Sequence, residues 1–115
     1  CGGVYFLMNF LRENYAGKPV VFMTPARCCY GNVDDLAPSP RANKRPDAKA
    51  LIAYVEVIEE TAKQFGIPVL NLYHKLGLDP HDPEIAAKYT SDGLHFNDAG
   101  HEFIATRLKD FIETL

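Results

Sequence analysis

The sequence predicts an α/β fold in which parallel strands are covered by helices on both faces. Three observations carry this. Two short β-prone runs, residues 19–23 and 67–73, are apolar without alternation, the pattern of strands buried on both sides. Segments with apolar residues at helical spacing precede, separate and follow them, giving the order helix, strand, helix, strand, helix. Strands that alternate with amphipathic helices are joined by crossovers, and crossovers make neighbouring strands parallel.

Each element has its own signal. Val4, Met8, Leu11 and Tyr15 recur at helical spacing, and Gly17 is placed to stop that first helix. Residues 19–23 then form a strand ended by Thr24-Pro25. From 26 to 45 there is no periodicity, and Gly31, Pro38 and Pro40 punctuate a long loop of the kind that serves as a lid or binding loop. Pro46 and Asp47 suit the first turn of a second helix. Leu51, Val55, Ile58, Ala62 and Phe65 line one face of it, and Gly66 ends it. Residues 67–73 form the second strand, and 74–93 are irregular apart from a helical turn at 84–88. Asn97 or Asp98 caps the final helix, whose buried stripe is Ile104, Leu108, Phe111 and Leu115, flanked by Phe103 and Ile112.

Composition narrows the function classes. Apolar residues make up 47% and charged residues 23%, which is globular rather than disordered. A net charge of −3 argues against a nucleic-acid or anionic-membrane partner, and the basic group Arg41, Lys44, Arg45 reads as a solvated loop. No apolar run approaches the roughly 20 residues needed to span a bilayer. Cys1, Cys28 and Cys29 match neither a disulfide framework nor zinc-ligand spacing, and Cys28-Cys29 reads as part of a lid or pocket wall. This cysteine usage leans toward a reduced, cytoplasmic setting, while a secretory signal ahead of Cys1 stays open because the chain does not begin with Met. Two strands this apolar call for neighbours on each side. The expectation is therefore that residues 1–115 form the C-terminal part of a single domain whose N-terminal strands precede Cys1.

The chemistry-bearing segment is residues 89–101. Asp92 and His95 lie three apart between the second strand and the last helix. In such a turn a carboxylate accepts a hydrogen bond from the imidazole Nδ1–H, leaving Nε2 to act as a base. Spacing alone also fits an Asp-Gly turn followed by a partly buried histidine, since eight Asp and four His produce such pairs by chance. Asp92, His95 and His101 read alternatively as a metal set without a fourth ligand. His101 otherwise reads as a structural residue, and His74 and His81 as loop residues.

The run Asp92-Gly93-Leu94-His95-Phe96-Asn97-Asp98-Ala99-Gly100-His101, followed by an amphipathic terminal helix, resembles the last block of the SGNH (GDSL-type) serine hydrolases. The order of the remaining elements is similar to the later half of that family. The resemblance implies a three-layer α/β/α domain with a flavodoxin-like parallel sheet and an ester-hydrolase activity requiring no cofactor. It implies His95 as general base and then general acid, with Asp92 orienting it. The substrate would be a small-molecule ester, with small acyl esters and acetylated sugars preferred over long-chain lipids. The family's nucleophile is the serine of a Gly-Asp-Ser motif after the first strand, and its oxyanion hole adds a Gly and an Asn from later blocks. None of these is matched here. Of the two serines present, Ser39 sits between prolines and Ser91 adjoins Asp92, so neither suits the role. The N-terminal half of the same domain is thus an implied partner. The alternative is an inactive fragment or degenerate relative that works by association.

Overall fold

A computed structural model describes residues 2–30, 33–34 and 50–115. Cys1, Ser39, the Arg41–Lys44–Arg45 group, the expected helix start at Pro46-Asp47 and most of the long loop lie outside these residues. The described elements are α1 (Gly2–Asn14), β1 (Phe22–Met23), β2 (Cys29–Tyr30), β3 (Val33–Asp34), α2 (Leu51–Phe65), β4 (Val69–Leu70), α3 (Leu72–Lys75), α4 (Pro83–Tyr89) and α5 (Asp98–Glu113).

The architecture is mixed α/β around a small parallel sheet. β1 lies beside β4, with Phe22 opposite Val69 and Met23 opposite Leu70. The Phe22 N–H donates to the Pro68 carbonyl at 3.0 Å and the Thr24 N–H to Leu70 at 3.1 Å. β2 and β3 form a separate antiparallel pair where the sequence suggested only a loop.

Both principal strands are shorter than the sequence predicts. Within β1, Phe22 is half-buried and Met23 is exposed, so this strand does not have both faces covered by the described residues. β4 stops at Leu70 because the next side chain diverts the backbone. Asn71 Oδ1 accepts from the His74 N–H at 2.9 Å and caps α3, so Leu72 and Tyr73 are helical rather than extended. The same Asn71 donates through Nδ2 to Glu59 Oε1 of α2 at 2.7 Å. Buried Thr24 lies beside it, its Oγ1 3.4 Å from Asn71 Oδ1 and accepting from the Tyr73 N–H at 3.3 Å. This polar cluster ties the ends of both strands to α2.

Apolar burial falls in two places. α1 packs on α2, where Met8, Val55 and Ala62 are fully buried, and Phe65 meets Tyr5 edge-on at 5.2 Å. Helix α2 ends at Gly66, which takes the left-handed conformation and donates to Lys63, while the Ile67 N–H donates to Ala62 at 2.9 Å. The second core gathers Leu70, Leu72, Leu76 and Leu78 against Phe103, Ile104, Leu108 and Phe111 of α5. Ile85 and Tyr89 of α4 join it. Leu115, expected in that stripe, is instead 64% exposed, because α5 ends at Glu113 beyond reach of the cluster.

One face of α1 is left uncovered by the described residues. Phe6 is 73% exposed, and Leu7 and Phe10 beside it are also open. The molecule is a slab of 42 × 39 × 18 Å.

Candidate active site

The site grows from the junction between α4 and α5. Asp82 caps α4 by accepting from the Glu84 N–H at 2.9 Å, and Pro83 occupies its first turn. Asn97 caps α5, its Oδ1 accepting from the Gly100 N–H at 3.0 Å while its Nδ2 donates back to the Lys88 carbonyl at 3.0 Å. Gly100 is required there because a Cβ would stand 2.3 Å from the Tyr89 carbonyl oxygen and 2.7 Å from the Phe96 ring. The chain between the caps closes as a narrow antiparallel loop. Thr90 bridges to Phe96, the Asn97 N–H donates to Tyr89, and the Ser91 N–H donates to His95 at 2.9 Å.

Asp92 and His95 meet at the tip of that loop. His95 Nδ1 is 2.6 Å from Asp92 Oδ2, and Asp92 Oδ1 accepts the backbone N–H groups of His95 at 2.7 Å and Leu94 at 2.9 Å. The His95 N–H, then the His95 ring, then the Leu94 N–H hold the Asp92 carboxyl down to about 2. The His95 side chain is 71% exposed, whereas that of Asp92 is 28% exposed. The ionised carboxylate thus sits behind a ring whose far edge faces outward.

Gly93 fastens the tip on two sides. Its N–H donates to Thr90 Oγ1 at 2.9 Å, and its carbonyl accepts from the Cys29 N–H at 3.0 Å. Its φ of +90° disfavours any side chain, and a Cβ would fall 1.8 Å from the Cys29 carbonyl oxygen. Cys29 is therefore a backbone support of the Asp92–His95 loop, a contact that its sequence position does not reveal. Thr90 was equally silent in the sequence, since a lone threonine before an Asp-Gly turn has no distinctive spacing.

The other sequence candidates fall as follows. The Ser91 hydroxyl donates to the His95 carbonyl at 3.3 Å, on the backbone side of the turn. His101 is exposed in the first turn of α5, its ring 6.3 Å from that of Phe96. Among the described residues no group of three His, Cys, Asp or Glu is assembled to hold a metal ion, so Asp92, His95 and His101 do not form the cage considered above. His74 belongs to α3 rather than to a loop, and its ring meets Tyr73 edge-on at 5.0 Å.

A second carboxylate–imidazole contact lies after α3. His81 Nδ1 is 2.6 Å from Asp79 Oδ1, which also accepts from the His81 N–H at 3.0 Å. Arg27 Nη1 lies 3.9 Å from Asp79 Oδ2, with the guanidinium 4.5 Å above the Tyr73 ring. Burial would raise the Asp79 carboxyl, but the His81 hydrogen bonds and the charges of His81 and Arg27 outweigh it and hold it below its ordinary value. This cluster joins the loop after β1 to the loop after α3.

No protein-family model and no curated protein matches the chain. Among solved structures, the crystal structure of a Lactobacillus plantarum protein, a structural-genomics target, is similar over 98% of this chain and 52% of its own, with a TM-score of 0.83 and 25% identity. A second crystal structure is similar over 99% of this chain and 51% of its own, with a TM-score of 0.79 and 25% identity. The chain spans about half the length of the solved structures it matches.

Proposed function

We propose that these 115 residues are the acid–base half of an SGNH-type serine ester hydrolase. The whole domain would be a three-layer α/β/α sandwich with a flavodoxin-like parallel sheet, its serine-bearing strands contributed by the N-terminal half. The observation that carries this reading is the 2.6 Å contact between His95 Nδ1 and Asp92 Oδ2 beneath an outward-facing ring. A carboxylate on Nδ1 selects the tautomer with its proton there, so Nε2 offers a lone pair on the exposed edge. The Cys29–Gly93 bond, which ties the turn to the segment following β1, supports a site at the carboxyl ends of parallel strands.

In the reaction, Nε2 takes the proton of the serine hydroxyl as the serine oxygen bonds to the ester carbonyl carbon. The tetrahedral adduct collapses, the carbon–oxygen bond to the alcohol breaks, and the alcohol leaves with the proton from Nε2. Water then adds to the acyl carbon, giving a proton to Nε2, and the serine oxygen recovers it as the carboxylic acid departs. Asp92, ionised down to a pH of about 2, orients the ring and stabilises the imidazolium without itself taking the proton. Small acyl esters, acetylated sugars among them, are the substrate class, and this chemistry uses no metal or organic cofactor.

The test is hydrolysis of p-nitrophenyl acetate by the full-length protein, with fluorophosphonate labelling of its serine. Wild-type protein should turn over and label, and His95→Ala should do neither while keeping its fold. An intact, folded full-length protein with neither activity nor labelling would sink the proposal. That outcome would favour an association domain, a reading supported by the exposed Phe6, Leu7 and Phe10 on α1.

A further inference from the structure

We infer that Thr90 is a positioning residue for the Asp92–His95 pair, acting as a latch between the end of α4 and the turn. The inference rests on the acid–base reading of that pair. Thr90 is 7% exposed, and its hydroxyl has both its roles filled. Oγ1 donates to the Ala86 carbonyl at 2.6 Å and accepts from the Gly93 N–H at 2.9 Å. The first bond fixes the hydroxyl to the last turn of a helix, and the second passes that position to the residue directly after Asp92. The opposite side of Gly93 is fixed by the Cys29 N–H at 3.0 Å, and the Cys29 backbone lies so close that a Cβ on residue 93 would clash with it.

The consequence for chemistry is geometric. Asp92 must present Oδ1 to two backbone N–H groups and Oδ2 to the ring at once. That bidentate arrangement holds only while the peptide planes flanking Gly93 keep their orientation. Without the Thr90 hydroxyl, the buried Gly93 N–H has lost its acceptor and the plane is free to rotate toward water. His95 then relaxes toward the tautomer mixture of free histidine, in which the proton is found mainly on Nε2, the nitrogen that has to act as base. Thr90 thus touches neither substrate nor reacting atoms, yet selects which ring nitrogen is available.

The tautomer is read directly from the ¹⁵N shifts of the His95 ring in alkaline solution, where imidazole is neutral. Wild-type protein should show the proton on Nδ1. Thr90→Val, which keeps shape and removes the hydroxyl, should shift the population toward Nε2–H and speed Gly93 amide exchange by about tenfold or more. Thr90→Ser should restore the wild-type pattern. Thr106→Val, which deletes a comparable hydroxyl-to-backbone bond to Glu102 on α5, should change neither signal.

A folded Thr90→Val protein with an unchanged tautomer overturns the inference. Should that variant not fold, rapid exchange of the Gly93 amide in the folded wild-type protein overturns it equally, and slow exchange with Thr90→Ser retaining the wild-type tautomer upholds it. These readouts are independent of ester cleavage. A protein with an intact latch and no hydrolysis removes the functional reading alone, whereas hydrolysis with an indifferent Thr90 removes only the latch.

Discussion

Asp92 is the most heavily hydrogen-bonded side chain of the turn, and its titration has a definite sign. Its carboxyl is held at about 2 against an ordinary 3.8, so the folded turn prefers the ionised form. The resulting stabilisation is complete above the ordinary value and is lost as the pH falls from there toward about 2. An acid titration followed by the amide shifts of Leu94 and His95 should therefore show both bonds to Oδ1 persisting to a pH at which ordinary aspartates are already protonated. A midpoint near the ordinary carboxylate value would contradict the geometry. Asp92→Asn separates the two jobs of the side chain. The amide oxygen still accepts the backbone N–H groups, but the NH₂ now facing Nδ1 cannot accept its proton. The variant should fold, carry the ring proton on Nε2, and lose roughly a thousandfold or more of any ester hydrolysis by the full-length protein, measured as kcat.

At the scale of elements, the junction from α4 to α5 depends on a few backbone-fixing residues. Asn97→Ala removes both the α5 cap and the bond to Lys88, and should destabilise the protein by about 1–2 kcal/mol in urea unfolding. Gly93→Ala meets a positive φ and the Cys29 carbonyl together, and should cost about 2–4 kcal/mol, with loss of the Cys29–Gly93 bond visible as faster Cys29 amide exchange. The legibility of these elements in the sequence followed their physics. Helices α2 and α5 show in their apolar stripes, and Gly66 and Asn97 mark their ends, because periodicity and capping are local properties. The strand limits were not legible. β4 ends where Asn71 turns to cap α3, a choice settled by Glu59 and Thr24 from distant parts of the chain. The β2–β3 pair was not legible either, because two strands of two residues each are too short a run for alternation to register. The Asp92–His95 spacing was readable, whereas the Thr90 and Cys29 supports were not, since each is a contact defined by tertiary approach.

For the molecule as a whole, the uncovered apolar face sets its solution behaviour. Phe6, Leu7 and Phe10 on α1 expose large side chains on a slab 18 Å through its thinnest direction. Exposed apolar groups that lie together mark association surfaces. These 115 residues by themselves should therefore self-associate in sedimentation velocity. Replacing Phe6 and Phe10 together by Glu should return the distribution toward monomer without lowering the melting temperature, because neither side chain is buried. A monomer already in the wild type would argue that this face is not sticky.

The parallel pairing of β1 with β4 also orders events in time. Phe22 must find Val69 across a long intervening stretch, so sheet closure waits on a costly loop entropy. The capped pair α4 and α5, by contrast, draws its contacts from neighbours along the chain. Refolding should thus show the α4–α5 hairpin gaining protection before the strands do, as in a pulse-labelling experiment. The loop bearing Asp92 and His95 would be drawn early in outline, and docking of Cys29 onto Gly93 would then be among the last steps to fix it.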